Sequence, residues 1–177
     1  MSGRFHLYPH EQHWWSFADY AAVLDAMRQL RPTRVLEFGP GSSTLALIEG
    51  GARQIDACED DGWWLVVQRL RLEDRFPDIV TLWGYDSSIE PLSIGSIDRR
   101  RYDLALIDGP REMERRPAII RYALAHCAAV LVPAEETEAL RGRGFLRACI
   151  ESLAAEFGRP VSWKETGPLA GSFALIT

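Results

Sequence analysis

Four carboxylic acids lie where a run of strand-forming residues gives way to a turn, and their side chains have the chemistry of a ligand site. They are Glu37, Glu59, Asp86 and Asp108. A carboxylate accepts hydrogen bonds from hydroxyl groups, attracts cations and takes up protons in catalysis. Because open α/β sheets bind ligands just beyond the carboxyl ends of their strands, we expect these four residues to surround one ligand.

The first of these acids precedes a glycine turn. Residues 34–44 read Arg-Val-Leu-Glu-Phe-Gly-Pro-Gly-Ser-Ser-Thr, a pattern that predicts a buried strand, a turn and the start of a helix. Gly39 and Gly41 permit unusual backbone angles and the close approach of a ligand, and Ser42 or Ser43 is expected to cap the helix. The pattern therefore predicts a ligand-binding loop.

Two positions in this loop indicate which ligand it binds. A dinucleotide site has a third glycine where this chain has Thr44. The Glu37 carboxylate would repel a pyrophosphate, whereas it can reach the ammonium of a cationic ligand directly or through water. The spacing of Glu37, Gly39 and Gly41 resembles the first motif of the class I S-adenosylmethionine (SAM) methyltransferases, which is an acid, any residue, Gly, any residue, Gly.

A second acid stands at the distance expected for a nucleoside site. Residues 54–59 read as the next strand and end in Glu59, 22 residues after Glu37. In doubly wound sheets an acid about 20 residues beyond the glycine loop accepts hydrogen bonds from ribose hydroxyls. Because SAM and NAD both carry a ribose, Glu59 predicts a nucleoside, and Glu37 favours SAM.

The resemblance implies a complete cofactor site. In such a site the loop of Gly39 and Gly41 holds the methionine end and Glu59 holds the ribose. A polar residue after the third strand, here Asp86, faces the adenine amino group; the alternative is that Asp86 closes an Asx-turn. The cofactor-binding residues expected on this basis are Glu37, Phe38, Gly39, Pro40, Gly41, Ser43, Thr44, Glu59, Asp60, Asp86 and Asp108.

Asp108 follows the fourth predicted strand and is the candidate catalytic carboxylate. It can bind a substrate hydroxyl, act as general base or bind a metal; the alternative is a carboxylate satisfied by backbone amides or by Arg111. Ile-Asp-Gly-Pro is not the Asn/Asp-Pro-Pro-aromatic motif of methyltransferases that act on exocyclic base amines. An Asp here resembles the Mg-dependent catechol type, but Glu135 and Glu136 replace the Asp-Asn pair of that type, so we expect no metal.

Three arginines, Arg111, Arg115 and Arg116, follow Asp108. A guanidinium pairs bidentately with a carboxylate or phosphate, so we expect Arg111 to anchor an acidic substrate. The sequence Asp-Gly-Pro-Arg at 108–111, followed by Arg, Ala-Ile and an aromatic residue, is similar to that of sugar-acid O-methyltransferases of the glucuronoxylan type. The alternative is that ion pairs form at a helix start among Arg111, Glu112, Glu114 and Arg115.

The first 16 residues hold three of the four histidines and two of the six tryptophans, a composition that suits a lid over the ligand. His13 is the candidate histidine base, because an imidazole titrates near neutral pH. The alternative is an aromatic segment that buries itself or contacts a second subunit in a homodimer.

The elements that must position these residues alternate between helix and strand over a single expected domain, 1–177. The patterns predict helices at 17–30, 44–49, 62–72, 117–127 and 145–157, and strands at 34–38, 54–59, 79–83, 102–107, 128–132, 161–165 and 172–176. We expect an α/β fold, and the resemblance implies a Rossmann-like doubly wound sheet of seven strands with strand seven antiparallel.

Composition and sequence patterns limit the binding partners and the cellular compartment that we expect. The 177 residues carry a net charge of −5, which argues against a nucleic-acid groove. The chain shows no secretory signal pattern and no apolar run of membrane length, and its three cysteines have no Cys-x-x-Cys pairing. We therefore expect a cytoplasmic protein with a small-molecule substrate and no membrane partner.

Together these features predict a SAM-dependent methyltransferase that transfers a methyl group to an oxygen of a small, acidic molecule. Three alternatives stay open at this point. They are an NAD-dependent oxidoreductase, which Thr44 and Glu37 disfavour, an aminopropyl transferase, which Arg111 disfavours, and a SAM-binding protein without catalysis.

Overall fold

A computed structural model describes residues 17–110, 112–134, 145–165 and 172–177. The α-helices of this part of the chain are α1 (Phe17–Leu30), α2 (Ser42–Glu49), α3 (Gly62–Gln68), α4 (Arg116–His126) and α5 (Phe145–Glu156). The strands are β1 (Arg34–Phe38), β2 (Gln54–Glu59), β3 (Val80–Gly84), β4 (Tyr102–Ile107), β5 (Cys127–Ala134), β6 (Val161–Glu165) and β7 (Ser172–Ile176). A π-helical turn, Arg69–Glu73, continues α3, and short 3₁₀ turns lie at Gly95–Arg99 and Met113–Arg115.

The strands form one mixed sheet in the order β3-β2-β1-β4-β5-β7-β6. Strands β1 to β5 are parallel, whereas β7 runs antiparallel to both β5 and β6. The chain builds the sheet outward in one direction from β1 to β3 and in the other direction from β4 onward. The strand order therefore reverses between β1 and β4, which is where such a sheet opens a ligand crevice. The predicted doubly wound sheet with an antiparallel seventh strand is confirmed.

Each face of the sheet carries its own hydrophobic core. On one side, which we call the α2 face, α1 and α2 pack against side chains that include Val35 and Leu104. On the other side, the α4 face, α4 and α5 pack against side chains that include Leu36 and Ile107. Successive residues of a strand point to opposite faces. Burial on both faces explains why β1 and β4 read as nearly continuous apolar runs.

Most predicted elements are confirmed, with small shifts at their ends. The helix at 17–30 and the strands at 54–59, 102–107, 161–165 and 172–176 have the predicted bounds. The expected serine cap of α2 is wrong, because the helix begins at Ser42 with Gly41 at its N-cap. The Ser43 hydroxyl donates instead to the Glu37 carboxylate. None of the described helices is long and apolar enough to cross a membrane.

Candidate functional site

The strand register brings two predicted acids to the same level at one edge of the sheet. The last residue of β1 lies opposite Cys58 of β2 and Ile107 of β4. Glu59 and Asp108 each stand one residue further along the chain, so they flank the turn at Gly39 on its two sides. A main-chain hydrogen bond from the Gly39 nitrogen to the Cys58 carbonyl oxygen (3.0 Å) continues this order past the end of β1.

The turns after β1 and β4 touch backbone to backbone. Gly39 has a φ angle of +83°, which L side chains rarely adopt. A β-carbon at this position would lie 2.7 Å from the Gly109 nitrogen. The Phe38 carbonyl oxygen also accepts hydrogen bonds from the backbone nitrogens of Asp108 (2.8 Å) and Gly109 (2.9 Å). Position 39 therefore requires glycine both for its conformation and for the contact between the two turns.

The Glu37 carboxylate is wholly buried beneath the glycine turn. It accepts hydrogen bonds from the hydroxyls of Ser43 (2.5 Å) and Thr44 (2.7 Å), and the Gly41 nitrogen donates to the Thr44 hydroxyl (3.0 Å). Burial raises the pKa of Glu37 to about 8, the two hydroxyls act to lower it, and the charge of Asp108 adds to the rise. Glu37 thus ties the start of α2 to the end of β1, and its contact with a cationic ligand stays a prediction.

Glu59 ends β2 and is only 7% exposed. One of its carboxylate oxygens accepts a hydrogen bond from the Asp61 backbone nitrogen (3.0 Å). Burial raises the pKa of Glu59 to about 7; the backbone amides of Asp60 and Asp61 act against this rise, and the charges of both residues add to it. Within the described part of the chain its donors are backbone amides alone, so the carboxylate keeps lone pairs for the hydroxyl groups of a ligand.

A chain of polar contacts joins the loops that follow β2, β3 and β4. The Ser87 hydroxyl donates to the Asp60 carboxylate (2.6 Å), and the Arg115 guanidinium donates to the Ser87 oxygen (2.8 Å). Ser87 is buried, although sequence reasoning did not single it out. These contacts hold three loops of the ligand edge at fixed distances from one another.

Asp86 forms the Asx-turn that was the alternative to a role in binding. One of its carboxylate oxygens accepts hydrogen bonds from the backbone nitrogen (2.9 Å) and the hydroxyl (2.6 Å) of Ser88. These bonds hold the pKa of Asp86 below its usual range. Its contact with adenine stays a prediction.

A buried arginine holds the loop that follows β4. Arg116 begins α4 and is 5% exposed. Its Nε donates to the Pro110 carbonyl oxygen (3.0 Å), and its Nη2 donates to the Asp108 carbonyl oxygen (3.1 Å). These bonds fix the backbone on both sides of Gly109, and so they fix the backbone that presents the partly buried Asp108 side chain.

Several predicted residues lie outside the described part of the chain. They are His13 within the expected lid, 1–16, together with Arg111, Glu135 and Glu136, and their roles stay predictions. Within the residues that the structure does describe, no three His, Cys, Asp or Glu side chains are grouped so that they hold a metal ion.

Comparison with protein-family models and with curated proteins finds no match, whereas solved structures do match. An O-methyltransferase from Bacillus cereus in complex with S-adenosylhomocysteine (SAH) has a TM-score of 0.72 at 18% identity, over 93% of this chain and 83% of that chain. SAM-bound CalS10, an amino pentose methyltransferase from Micromonospora echinaspora, has a TM-score of 0.70 at 14% identity, over 99% and 98%. SAM-bound magnesium protoporphyrin IX methyltransferase (ChlM) from Synechocystis PCC 6803 has a TM-score of 0.64 at 13% identity, over 99% and 91%.

The chain therefore has the fold of the class I SAM-dependent methyltransferases. This likeness extends over almost the whole chain, and it includes the antiparallel seventh strand that the sequence resemblance implied. The resemblance drawn from Glu37, Gly39 and Gly41 is confirmed at the level of the fold.

Proposed function

We propose that this chain is a SAM-dependent methyltransferase that transfers a methyl group to an oxygen of a small, acidic molecule. The observation that carries the proposal is the arrangement of Glu59, Gly39 and Asp108 at one level of the sheet edge, at the point where strand order reverses. Structural neighbours solved with SAM or SAH share this fold. In this proposal residues 1–177 act as one domain.

The described residues fit the cofactor. Glu59 suits the ribose, because its carboxylate keeps lone pairs for two hydroxyl donors. The backbone from Gly39 to Gly41 suits the methionine end, and the acidic groups of Glu59 and Asp108 attract a ligand that carries positive charge. Asp60 and Asp86 lie in the loops expected to meet adenine. When bound, SAM supplies a methyl group activated by a positively charged sulfur.

Asp108 is the residue proposed to act on the methyl acceptor. Its carboxylate holds the acceptor hydroxyl and takes up the hydroxyl proton as that oxygen becomes nucleophilic. The loop that presents it is fixed by the Phe38 carbonyl oxygen on one side and by Arg116 on the other. Such a fixed carboxylate also orients the acceptor hydroxyl toward the methyl group. Arg111 and His13 stay proposed as substrate anchor and second base.

The proposed acceptor is a small molecule rather than a nucleic acid. Carboxylates at the ligand edge repel a polyanionic backbone, whereas a small acceptor with one anionic group can be placed away from them. Contact with a second subunit through the N-terminal segment also stays a proposal, and light scattering of the purified protein measures it.

Transfer of a labelled methyl group tests the proposed activity. The protein is incubated with methyl-labelled SAM and a panel of small hydroxy acids, each paired with a neutral analogue, such as glucuronate with glucose. We expect labelled product and an equal amount of SAH for at least one acid. Asp108→Asn should lower kcat by about 100-fold or more, because general-base assistance contributes at least that factor; SAH binding by the variant shows that it is folded.

The matched control is Asp103→Asn, at the opposite end of the same strand. Asp103 accepts hydrogen bonds from the backbone nitrogens of Thr33 (2.8 Å) and Arg34 (2.9 Å). Because these contacts lie away from the ligand edge, Asp103→Asn should leave kcat unchanged. Full activity of Asp108→Asn would remove the role given to Asp108. A protein that binds SAH and transfers no methyl group to any acceptor would favour the non-catalytic alternative.

A further inference from the structure

Two buried hydrogen-bonding atoms at the ligand edge have no partner among the described residues. They are the hydroxyl oxygen of Tyr85 and the Nη1 nitrogen of Arg116. Arg116 uses its other two nitrogens to hold the loop after β4, and a guanidinium carries a positive charge and only hydrogen-bond donors. A buried polar group without a hydrogen-bond partner is destabilising, and a buried charge without a partner is more so.

Contacts on the α4 face bring the residues Tyr85 and Arg116 to one corner of the ligand edge. The Tyr85 ring packs edge-on against Phe38, with ring centroids 5.5 Å apart, and Arg116 holds the loop that is hydrogen-bonded to the Phe38 carbonyl oxygen. Arg115 donates to Ser87, which lies two residues after Tyr85. The charge of Arg116 acts to lower the pKa of the Tyr85 hydroxyl, although burial, the larger effect, raises it well above its usual value.

The surroundings of the Arg116 charge differ from those of an arginine that pairs with a carboxylate. Arg100, for example, pairs with the buried carboxylate of Asp56 at 2.8 Å. Within the described ranges no carboxylate forms an ion pair with Arg116. A carboxylate or phosphate group would accept from both its Nη1 and the Tyr85 hydroxyl, and charge-assisted bonds of this kind are strong in a site closed to water. Tyr85 is only partly buried as a residue, so this corner lies close to the surface.

We propose that the Tyr85 hydroxyl and Arg116 Nη1 form a subsite for an anionic oxygen group, a carboxylate or a phosphate, of the methyl acceptor. The proposal rests on the proposed function and deepens it, because it names the residues that select an acidic acceptor. Glu37 and Glu59 belong to the α2 face, whereas Tyr85 packs on the α4 face. The anion of the acceptor therefore lies on the opposite side of the strand ends from these two carboxylates.

Two tyrosines on the same phenylalanine provide a matched test of stability. The Tyr122 ring also packs edge-on against Phe38, at 6.1 Å, but its hydroxyl donates to Asp98 (2.7 Å). In the absence of ligand, Tyr85→Phe should keep or raise the Tm, whereas Tyr122→Phe should lower it by about 3 °C through the loss of a hydrogen bond. A Tm loss for Tyr85→Phe as large as that for Tyr122→Phe would assign the Tyr85 hydroxyl to the fold and overturn the proposal.

Anion binding is then measured with inorganic phosphate and with acetate, titrated into the SAH complex at constant ionic strength. We expect saturable binding of at least one anion to the wild-type protein, an affinity lower by about fivefold for Tyr85→Phe, and wild-type affinity for Tyr122→Phe. Arg116→Met should abolish anion binding. This variant also loses the hydrogen bonds that hold the loop after β4, so it is at risk of misfolding. Tyr85→Phe keeps those bonds and therefore tests the subsite even if Arg116→Met does not fold. Equal affinities in the wild-type protein and Tyr85→Phe, or no binding to the wild-type protein, would overturn the proposal.

A third titration separates the acceptor from the cofactor as the source of the anion. SAH carries a carboxylate, whereas 5′-methylthioadenosine lacks the amino-acid end. The proposal predicts that Tyr85→Phe leaves the affinity for both compounds unchanged. Selective loss of SAH affinity, or competition between phosphate and SAH, would assign the subsite to the cofactor and overturn the acceptor assignment. SAH binding by the wild-type protein is measured separately from anion binding. No SAH binding would count against the proposed function, whereas SAH binding without anion binding would count against the subsite alone.

Discussion

Strand β2 carries two buried carboxylates three residues apart, and their surroundings differ. Asp56 accepts hydrogen bonds from the Arg100 guanidinium (2.8 Å), the Trp83 indole nitrogen (2.9 Å) and the Tyr102 hydroxyl (2.8 Å). Glu59 accepts from backbone amides, and burial raises its pKa to about 7. Asp56 is satisfied by the protein and holds strands together, whereas Glu59 keeps capacity for a ligand at the sheet edge.

The same contrast separates two arginines. Arg100 pairs with Asp56 in the body of the sheet, whereas Arg116 binds main-chain carbonyls at the ligand edge and keeps one buried nitrogen without a partner among the described residues. Buried polar groups are normally satisfied inside a fold. Groups that depart from this rule at the carboxyl ends of parallel strands are therefore candidates for binding.

Truncation of the two β2 carboxylates should give the largest difference in stability. Asp56→Ala leaves a guanidinium and two neutral donors without their acceptor, so it should lower the free energy of unfolding by about 3 kcal/mol. Glu59→Ala removes a carboxylate whose charged form is disfavoured by burial, so its loss should be under about 1 kcal/mol. Urea denaturation measures both variants. Equal losses would remove the distinction between a structural and a ligand-binding carboxylate.

Alanine substitution at two glycines with positive φ tests the contact between the turns that follow β1 and β4. Gly39 lies against the backbone of Gly109, whereas a β-carbon added at Gly51, which has a φ of +99°, would meet no atom within 4 Å. Both alanine variants incur backbone strain, but only Gly39→Ala adds a clash, so it should lose about 2 kcal/mol more than Gly51→Ala. Denaturation of the two variants measures this difference. Equal losses would show that the two turns separate without consequence.

The affinity for SAH should depend on pH through Glu59. The pKa of Glu59 in the free protein is about 7, above the ordinary 4.5. The contribution of this carboxyl group to the stability of the fold is therefore present below pH 4.5 and is lost as the pH rises through 7. Ligand binding has the opposite sign, because ribose hydroxyls donate to the ionised carboxylate. SAH affinity should therefore rise by up to about tenfold per pH unit below pH 7 and level off above it. Calorimetry from about pH 5.5 to 8.5 measures the profile, and Glu59→Gln should flatten it. An identical profile in the variant would assign the titration to another group.

The sequence predicts much of this architecture because its signals are local. The apolar run of β1 stops at the Gly39 turn, and Pro117 marks the first turn of α4. Glu59 and Asp108 were identifiable as site candidates because each comes at the end of such a run. One residue of error in register would have moved them to the other face, so their common level depends on the pairing of β2 and β4 with β1.

Contacts between elements were not predictable in the same way. The sequence predicts Ser42 or Ser43 as the cap of α2, but Gly41 is the N-cap and the Ser43 hydroxyl donates to Glu37. Arg116 was noted only as one of three arginines after Asp108, and the structure shows that it binds the carbonyl oxygens of Asp108 and Pro110. One sequence signal for Arg116 exists, because a cation in the first turn of a helix opposes the helix dipole. Such local conflicts concentrate at functional sites.

The edge formed by β1, β2 and β4 should bind SAM, and calorimetric titration with SAH and with NADH measures this. The wild-type protein should bind SAH and not NADH. Glu59→Ala should weaken SAH binding by about 30-fold, the value expected for lost hydrogen bonds to a charged group, and Asp103→Ala, at the opposite end of the sheet, should leave it unchanged. Binding of NADH in place of SAH, or an SAH affinity that is the same in Glu59→Ala, would show that this edge is not a SAM site built around Glu59.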